Sequence, residues 1–119
     1  MLTTRYTIQL YFKKVQDKSD WQTMIADDVK FESLLPLSIG RDAYVTAATR
    51  FFSMAEKLEV KHLVVEDETA CARVSYQLRK NGRTFNCLVS ELFEVRRDKI
   101  TSISILFDAQ ALSNFTSQS

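Results

Sequence analysis

From Thr3 to Gln16 the apolar residues Tyr6, Ile8, Leu10, Tyr11, Phe12 and Val15 crowd one broad side of a helical projection, with Gln9, Lys13 and Lys14 among the polar positions between them. This is the pattern of an amphipathic helix. The run Asp17-Lys18-Ser19-Asp20 breaks it. Asp20 or Ser19 is suited to cap a second short helix, Trp21 to Ile25, by accepting a bond from its free N–H groups. Val29 to Ser33 alternates apolar and polar, which predicts a short strand. The adjacent acids Asp27 and Asp28 fall between that helix and that strand, and are read as structural. Residues 35–40 read as a loop. A third helix follows, from about Asp42 to Glu56, with Ala43, Ala47, Phe51, Met54 and Ala55 as its apolar stripe.

After Lys57 the period changes. Glu59 to Glu66, Ala70 to Arg79, Thr84 to Arg96 and Lys99 to Phe107 read as strands. Lys80-Asn81-Gly82-Arg83 joins two of them, and Asn-Gly is a strong hairpin signal because both residues tolerate positive φ. Three helices thus precede an antiparallel meander, which predicts an α+β fold with the helices on one face of a curved sheet. The polar segment 112–119 is expected to fray. The whole chain reads as one domain, with its core at about residues 5–111.

Composition narrows the functional classes. The chain has 119 residues, enough to remove roughly two-thirds of its unfolded surface from water. A formal net charge of +1 argues against a dedicated nucleic-acid binder, which carries a basic excess. No run of apolar residues is long enough to span a bilayer, and the first residues lack the apolar core of a signal peptide. Cys71 and Cys87 fit neither metal spacing nor a disulfide framework. The expectation is a reduced, cytoplasmic protein without a membrane or nucleic-acid partner. No phosphate loop, metal cluster or nucleophile elbow is present in the sequence, so no cofactor or metal is expected.

The order of elements, the segment Ile25-Ala26-Asp27-Asp28-Val29, Gly40-Arg41-Asp42-Ala43 before the third helix, and the closing run from Asp98 to Asp108 resemble the nuclear transport factor 2-like superfamily. That group includes SnoaL-like cyclases, ketosteroid isomerases and limonene-type epoxide hydrolases. The resemblance runs from Arg5 to Ala111. It implies a cone-shaped, cystatin-like fold with three N-terminal helices on a strongly curved, mainly antiparallel sheet. It also implies a pocket for a small, mostly apolar molecule and a homodimer through the outer sheet face. Val74, Tyr76, Leu78, Leu88 and Leu92 would supply that face, by strand alternation.

Carried across residue by residue, the isomerase pattern places its general base at Ser33, beside Glu32. Its oxyanion tyrosine falls near Gln9, and its second oxyanion donor at Glu91. The epoxide-hydrolase pattern places its water-binding pair near Phe31 and Ser33. Its Asp–Arg–Asp set falls at Ser75, Arg73 and Ile105. Glu91 keeps one carboxyl of the first pattern and Arg73 the cation of the second. Neither reaction is therefore expected in its usual form.

Three residues are candidates for chemistry. Glu91 shares a strand face with Phe85, Cys87, Val89, Phe93 and Val95. A carboxyl among apolar groups is costly unless paired or protonated, so it is either a pocket acid or the ion-pair partner of Arg73. Arg73 shares a polar face with Ser75, Gln77 and Arg79, which either meets solvent or lines the cavity. His62, the only histidine, shares a face with Val60 and Val64; it is either structural or orients a polar ligand group. Gln9, Phe12, Trp21, Phe31, Ser33, Phe51, Ser75, Phe93, Ile103 and Ile105 are expected to line the pocket. The reading is a SnoaL-like pocket protein, an isomerase, cyclase or hydrolase with a non-standard site; the alternative is a non-catalytic binding or dimerisation module.

Overall fold

The computed structural model describes residues 2–32 and 40–117. Helix α1, Thr4–Gln16, starts at Thr3, whose side chain accepts a bond from the Tyr6 N–H at 3.1 Å. Its buried positions Ile8, Tyr11, Phe12 and Val15 follow the i, i+3, i+4, i+7 spacing of one helical face. Lys18, with φ of 56°, ends it. The Lys18 ammonium then donates to the carbonyls of Phe52 and Ala55, both at 2.7 Å, tying this end of α1 to the end of the next helix.

A single 3-10 turn, Trp21–Met24, leads directly into strand β1, Ile25–Glu32. The predicted Asp20 cap is not made. The Asp20 carboxylate takes the Lys14 ammonium and the Ser19 hydroxyl instead, and only its carbonyl meets Thr23. β1 begins four residues earlier than the alternation suggested, so Asp27 and Asp28 lie within the strand. A register shift between Ile25 and Lys30 turns both of them to solvent.

Helix α2, Arg41–Met54, buries Tyr44, Ala48 and Phe52. Its inward stripe is offset by one position from the expected one, and Ala43 and Ala47 are exposed. Arg41 fixes its start by donating to the carbonyls of Gln22 (2.8 Å) and Ile25 (3.3 Å). The meander follows as β2, Ala55–Glu66; β3, Thr69–Lys80; β4, Arg83–Arg96; and β5, Lys99–Phe107. Asn81 and Gly82 have φ of 53° and 76°, the geometry that sequence favours in a two-residue hairpin turn.

The five strands form one mixed sheet in the order β1-β5-β4-β3-β2, with β1 parallel to β5 and the other pairs antiparallel. Two expectations are corrected. The sheet is not strongly curled; local register shifts in β1, β2 and β4 are its irregularities, and β1 and β2 remain separate edges. The third α-helix is C-terminal, not N-terminal: α3 spans Ala109–Ser117, where a frayed tail was expected. The Asp108 carboxylate caps it through the Ala111 N–H at 2.9 Å. Phe115 is buried, with its ring stacked on Phe85 at 5.4 Å and under the Arg83 guanidinium at 5.5 Å. Leu112 packs against the core from the same helix, and burial of these two side chains docks the segment.

Candidate functional site

The inner face of the sheet and helix α2 enclose a cavity of about 370 Å³, within the size range of small-molecule sites. Its wall is mostly aromatic and aliphatic. Phe31 comes from β1, Phe51, Phe52 and Met54 from α2, Val89 from β4, Ile105 and Phe107 from β5, and Leu112 from α3. The polar side chains on that wall, among the described residues, are Tyr44, Arg50, Tyr76 and Glu91.

Glu91 is the central group. β4 alternates buried and exposed positions, and Cys87, Val89, Glu91, Phe93 and Val95 all point inward. Glu91 is only 5% exposed. In the β3–β4 ladder it lies opposite Ala72, and in the β4–β5 ladder opposite Ile105. The Tyr76 hydroxyl donates to Glu91 Oε2 at 2.7 Å. Glu91 Oε1 accepts no hydrogen bond from a described residue. Burial raises the Glu91 pKa from an ordinary 4.5 to about 7, and the bond from Tyr76 opposes part of that rise. Desolvation wins because an apolar wall gives the ionised form little to replace water.

A second polar pair lies beside it. Tyr44 on α2 and Tyr11 on α1 share a hydrogen bond between their hydroxyls at 2.8 Å. Burial raises both pKa values, and the nearby Glu91 charge raises them further. Tyr76 is pushed up by the same two causes. All three phenols are therefore neutral hydrogen-bonding groups at physiological pH. Trp21 backs the pair, edge-on to Tyr44 and Phe52 with centroids at 6.3 and 5.0 Å. Cys87 is buried beneath the sheet wall, and burial holds its thiol up at about 11, so it is a poor nucleophile.

Arg73 and His62 do not join Glu91. Arg73 is opposite Ser90 in the ladder and exposed on the outer face of the sheet. Ser75, opposite Leu88, also lies on that face. The reason is register. Glu91 pairs with Ala72, so the even positions of β3 share its inward face: Val74, Tyr76 and Leu78 are buried there, not presented outside as expected. No ion pair forms between Glu91 and Arg73 among the described residues, because the ladder that sets Ala72 opposite Glu91 turns Arg73, opposite Ser90, to the other face of the sheet. His62 is exposed on edge strand β2. With Gln9 and Phe12 it lines a separate open groove between α1 and β2, whose lining residues are all different from those of the cavity.

The remaining expected lining residues divide. Phe31, Phe51 and Ile105 line the cavity. Phe12, Trp21, Phe93 and Ile103 are buried in the core behind it. Gln9 is exposed on α1, while Tyr11 two residues on is fully buried. Ser33 lies outside the described residues. Tyr44, Tyr76, Arg50 and Leu112 were not among the expected residues. Tyr76 carried a signal, since the two-residue turn at Asn81-Gly82 sets Lys80 opposite Arg83 and the pairing counts back from there. Among the described residues no cluster of three or more His, Cys, Asp or Glu could hold a metal ion, and no helix is long and apolar enough to cross a membrane.

The chain is similar in structure to an LEH-like epoxide hydrolase from M. tuberculosis, with a TM-score of 0.77 at 15% identity, covering 93% of this chain and 86% of that one. It is similar to a protein from Jannaschia sp. CCS1 assigned as a SnoaL-like polyketide cyclase, with a TM-score of 0.78 at 11% identity over 93% and 89% of the two chains. A nuclear-transport-factor-2-like protein of unknown function from Burkholderia pseudomallei gives a TM-score of 0.81 at 11% identity over 99% and 100%. At these identities the likeness shows the fold alone. No curated protein matches the chain in sequence. The sequence profile of the SnoaL-like domain family matches residues 13–103, so the chain belongs to that family.

Proposed function

We propose that the cavity binds a small, mostly apolar molecule and that Glu91 moves a proton on it, in chemistry of the isomerase, cyclase or hydrolase type found among proteins of this fold. The observation that carries the reading is the buried Glu91 carboxyl on the cavity wall, held by Tyr76 through one oxygen and open at the other. A group titrating near neutrality can both give and take a proton, which suits acid–base work. The position that would carry the base in related isomerases is Ser33, so one carboxyl would have to serve in both directions. Tyr44 would add a neutral hydroxyl able to hold a ligand oxygen. Arg73 and His62 have no part in this site.

The test uses steroid enones and aromatic ketones incubated with the protein in heavy water, with exchange of the carbon-bound proton next to the carbonyl followed by NMR. Exchange that disappears in Glu91→Gln, with the fold retained, supports the reading. Exchange unaffected by that change removes Glu91 from the chemistry. A second reading, non-catalytic ligand binding, is favoured by one observation: Glu91 is the only carboxyl on the cavity wall among the described residues. Ligands that bind and raise the unfolding midpoint but never exchange would support it.

The homodimer is also a proposal, on a corrected surface. Val64, Leu88, Leu92 and Leu106 are exposed. Leu92 is in register with Cys71 and Ser104, and Cys71 with Val64, which makes a transverse row on the outer face. Light scattering on the wild type and Leu92→Asp tests it: a dimer that becomes a monomer supports the surface, and a wild-type monomer at high concentration rejects it.

A further inference from the structure

We infer that the cavity takes an amphipathic anion, a molecule with an apolar body, a carbonyl or hydroxyl oxygen at the Glu91 end and a carboxylate or sulfonate group at the Arg50 end. This rests on the proposed binding function of the same cavity and adds the chemical class of its ligand.

Three observations support it. First, Arg50 is the only cationic side chain on the cavity wall among the described residues. It projects from α2, six residues after Tyr44 and immediately before Phe51, and it is exposed. Second, its guanidinium makes no ion pair or hydrogen bond with a described residue. Other basic side chains near helix and strand ends do have partners: Arg41 with Asp27, Arg79 with Glu56, Arg96 with Glu68 and Lys14 with Asp20. Third, Glu91 and Arg50 line one cavity without pairing with each other, one buried in the sheet wall and the other exposed on the helix. A carboxyl from the sheet and a guanidinium from the helix thus share a wall that is otherwise mostly apolar.

That arrangement selects charge as well as shape. A guanidinium offers a planar fork of donors that fits a carboxylate or sulfonate through two parallel bonds. The apolar wall beside it excludes water from one side of such a pair, which weakens screening. The protonated form of Glu91 would not repel an anion, and it could donate to an oxygen at the far end. A neutral apolar ligand would fill the same wall and leave Arg50 solvated.

Two fluorescent probes sharing one ring system separate the ideas: anilinonaphthalene sulfonate, which carries the anion, and phenylnaphthylamine, which lacks it. Titrations are made with the wild type, Arg50→Gln, Arg50→Lys and Ala47→Trp; the last places a large ring on the cavity wall from α2. The expected result is that both probes bind the wild type and both are displaced by Ala47→Trp. Arg50→Gln should weaken the sulfonate about tenfold, the size of a charge-assisted contact, and leave the amine unchanged. Arg50→Lys should restore part of the sulfonate affinity, and added salt should reduce it. Equal weakening of the two probes, or none, in Arg50→Gln overturns the inference while the binding reading stands. Binding of neither probe, or binding that persists in Ala47→Trp, overturns the binding reading and the inference with it.

Discussion

Replacing Glu91 with glutamine tests the electrostatics of the site without needing a substrate. The substitution keeps the shape and the acceptor for the Tyr76 hydroxyl while removing the titration. In the folded chain Glu91 ionises at about 7, against an ordinary value of 4.5. At about 1.4 kcal/mol for each pH unit, that interval corresponds to about 3 kcal/mol. Below 4.5 the carboxyl is protonated in both states and has no differential effect on folding. As pH rises through the interval the unfolded chain releases the proton first, and the folded chain loses stability relative to it. Above about 7 the loss is complete. Urea unfolding followed by the fluorescence of Trp21, the only tryptophan, gives the stability of wild type and Glu91→Gln at several pH values. The difference between the two should be small near pH 4 and grow by about 3 kcal/mol in favour of the variant by about pH 8. Other titrating groups contribute equally to both proteins and cancel. Parallel curves, with a difference that does not change with pH, would refute the claim that the carboxyl is desolvated. The same titration should appear in any turnover the protein shows, as a limb near neutrality that Glu91→Gln removes together with the activity.

Tyr76→Phe removes the hydrogen bond that favours the ionised carboxyl, so the Glu91 titration should move upward, read as a shift of the same stability difference to higher pH. Asp108→Ala removes the cap of α3 and should lower stability by about 1 kcal/mol, with a matching loss of helical circular dichroism if only α3 melts. Phe115→Ala removes the side chain that docks α3 on the β3–β4 hairpin; it should cost about 3 kcal/mol if α3 unfolds with the rest of the chain. If α3 detaches alone, hydrogen exchange should instead show its amides unprotected and the sheet unchanged.

The fold was legible wherever hydrophobic period and turn chemistry agreed. α1, α2 and strands β3 to β5 lie close to the predicted spans, because each buries a face with its own period and each hairpin turn contains residues that accept positive φ; β2 begins four residues before its expected start at Glu59 and is largely exposed. Edges were less legible. β1 runs through Ala26, Asp27 and Asp28, a stretch with no alternation, because a register shift exposes two successive acids and hides the period. α3 was missed because it is short and its two anchors, Leu112 and Phe115, sit among the small and polar residues of the chain's last stretch. A window average cannot see that the Phe115 ring has its partners, Phe85 and Arg83, thirty and thirty-two residues away.

The site was half legible, and the error in the other half has a specific physical origin. Glu91 stood out because its own strand surrounds it with apolar neighbours at every second position. Its partner on the next strand could not be found from alternation alone, since Arg73-Ser75-Gln77 and Val74-Tyr76-Leu78 are both self-consistent faces. What decides between them is register. With Asn81 and Gly82 as the turn, Lys80 meets Arg83, and each step back on β3 is a step forward on β4 until Ala72 meets Glu91. Tyr76 meets Cys87 by the same count, on the inward face, from which its hydroxyl reaches the carboxyl. Two glycine-sized facts, a turn of two residues and a strand period of two, thus carry more of the site than the resemblance that placed Arg73 inside. The consequence is chemical. A carboxyl paired with a guanidinium would be a fixed anion at neutral pH, whereas a carboxyl paired with a phenol in an apolar wall can be a proton donor there. The register of one hairpin therefore determines which of these two the cavity contains.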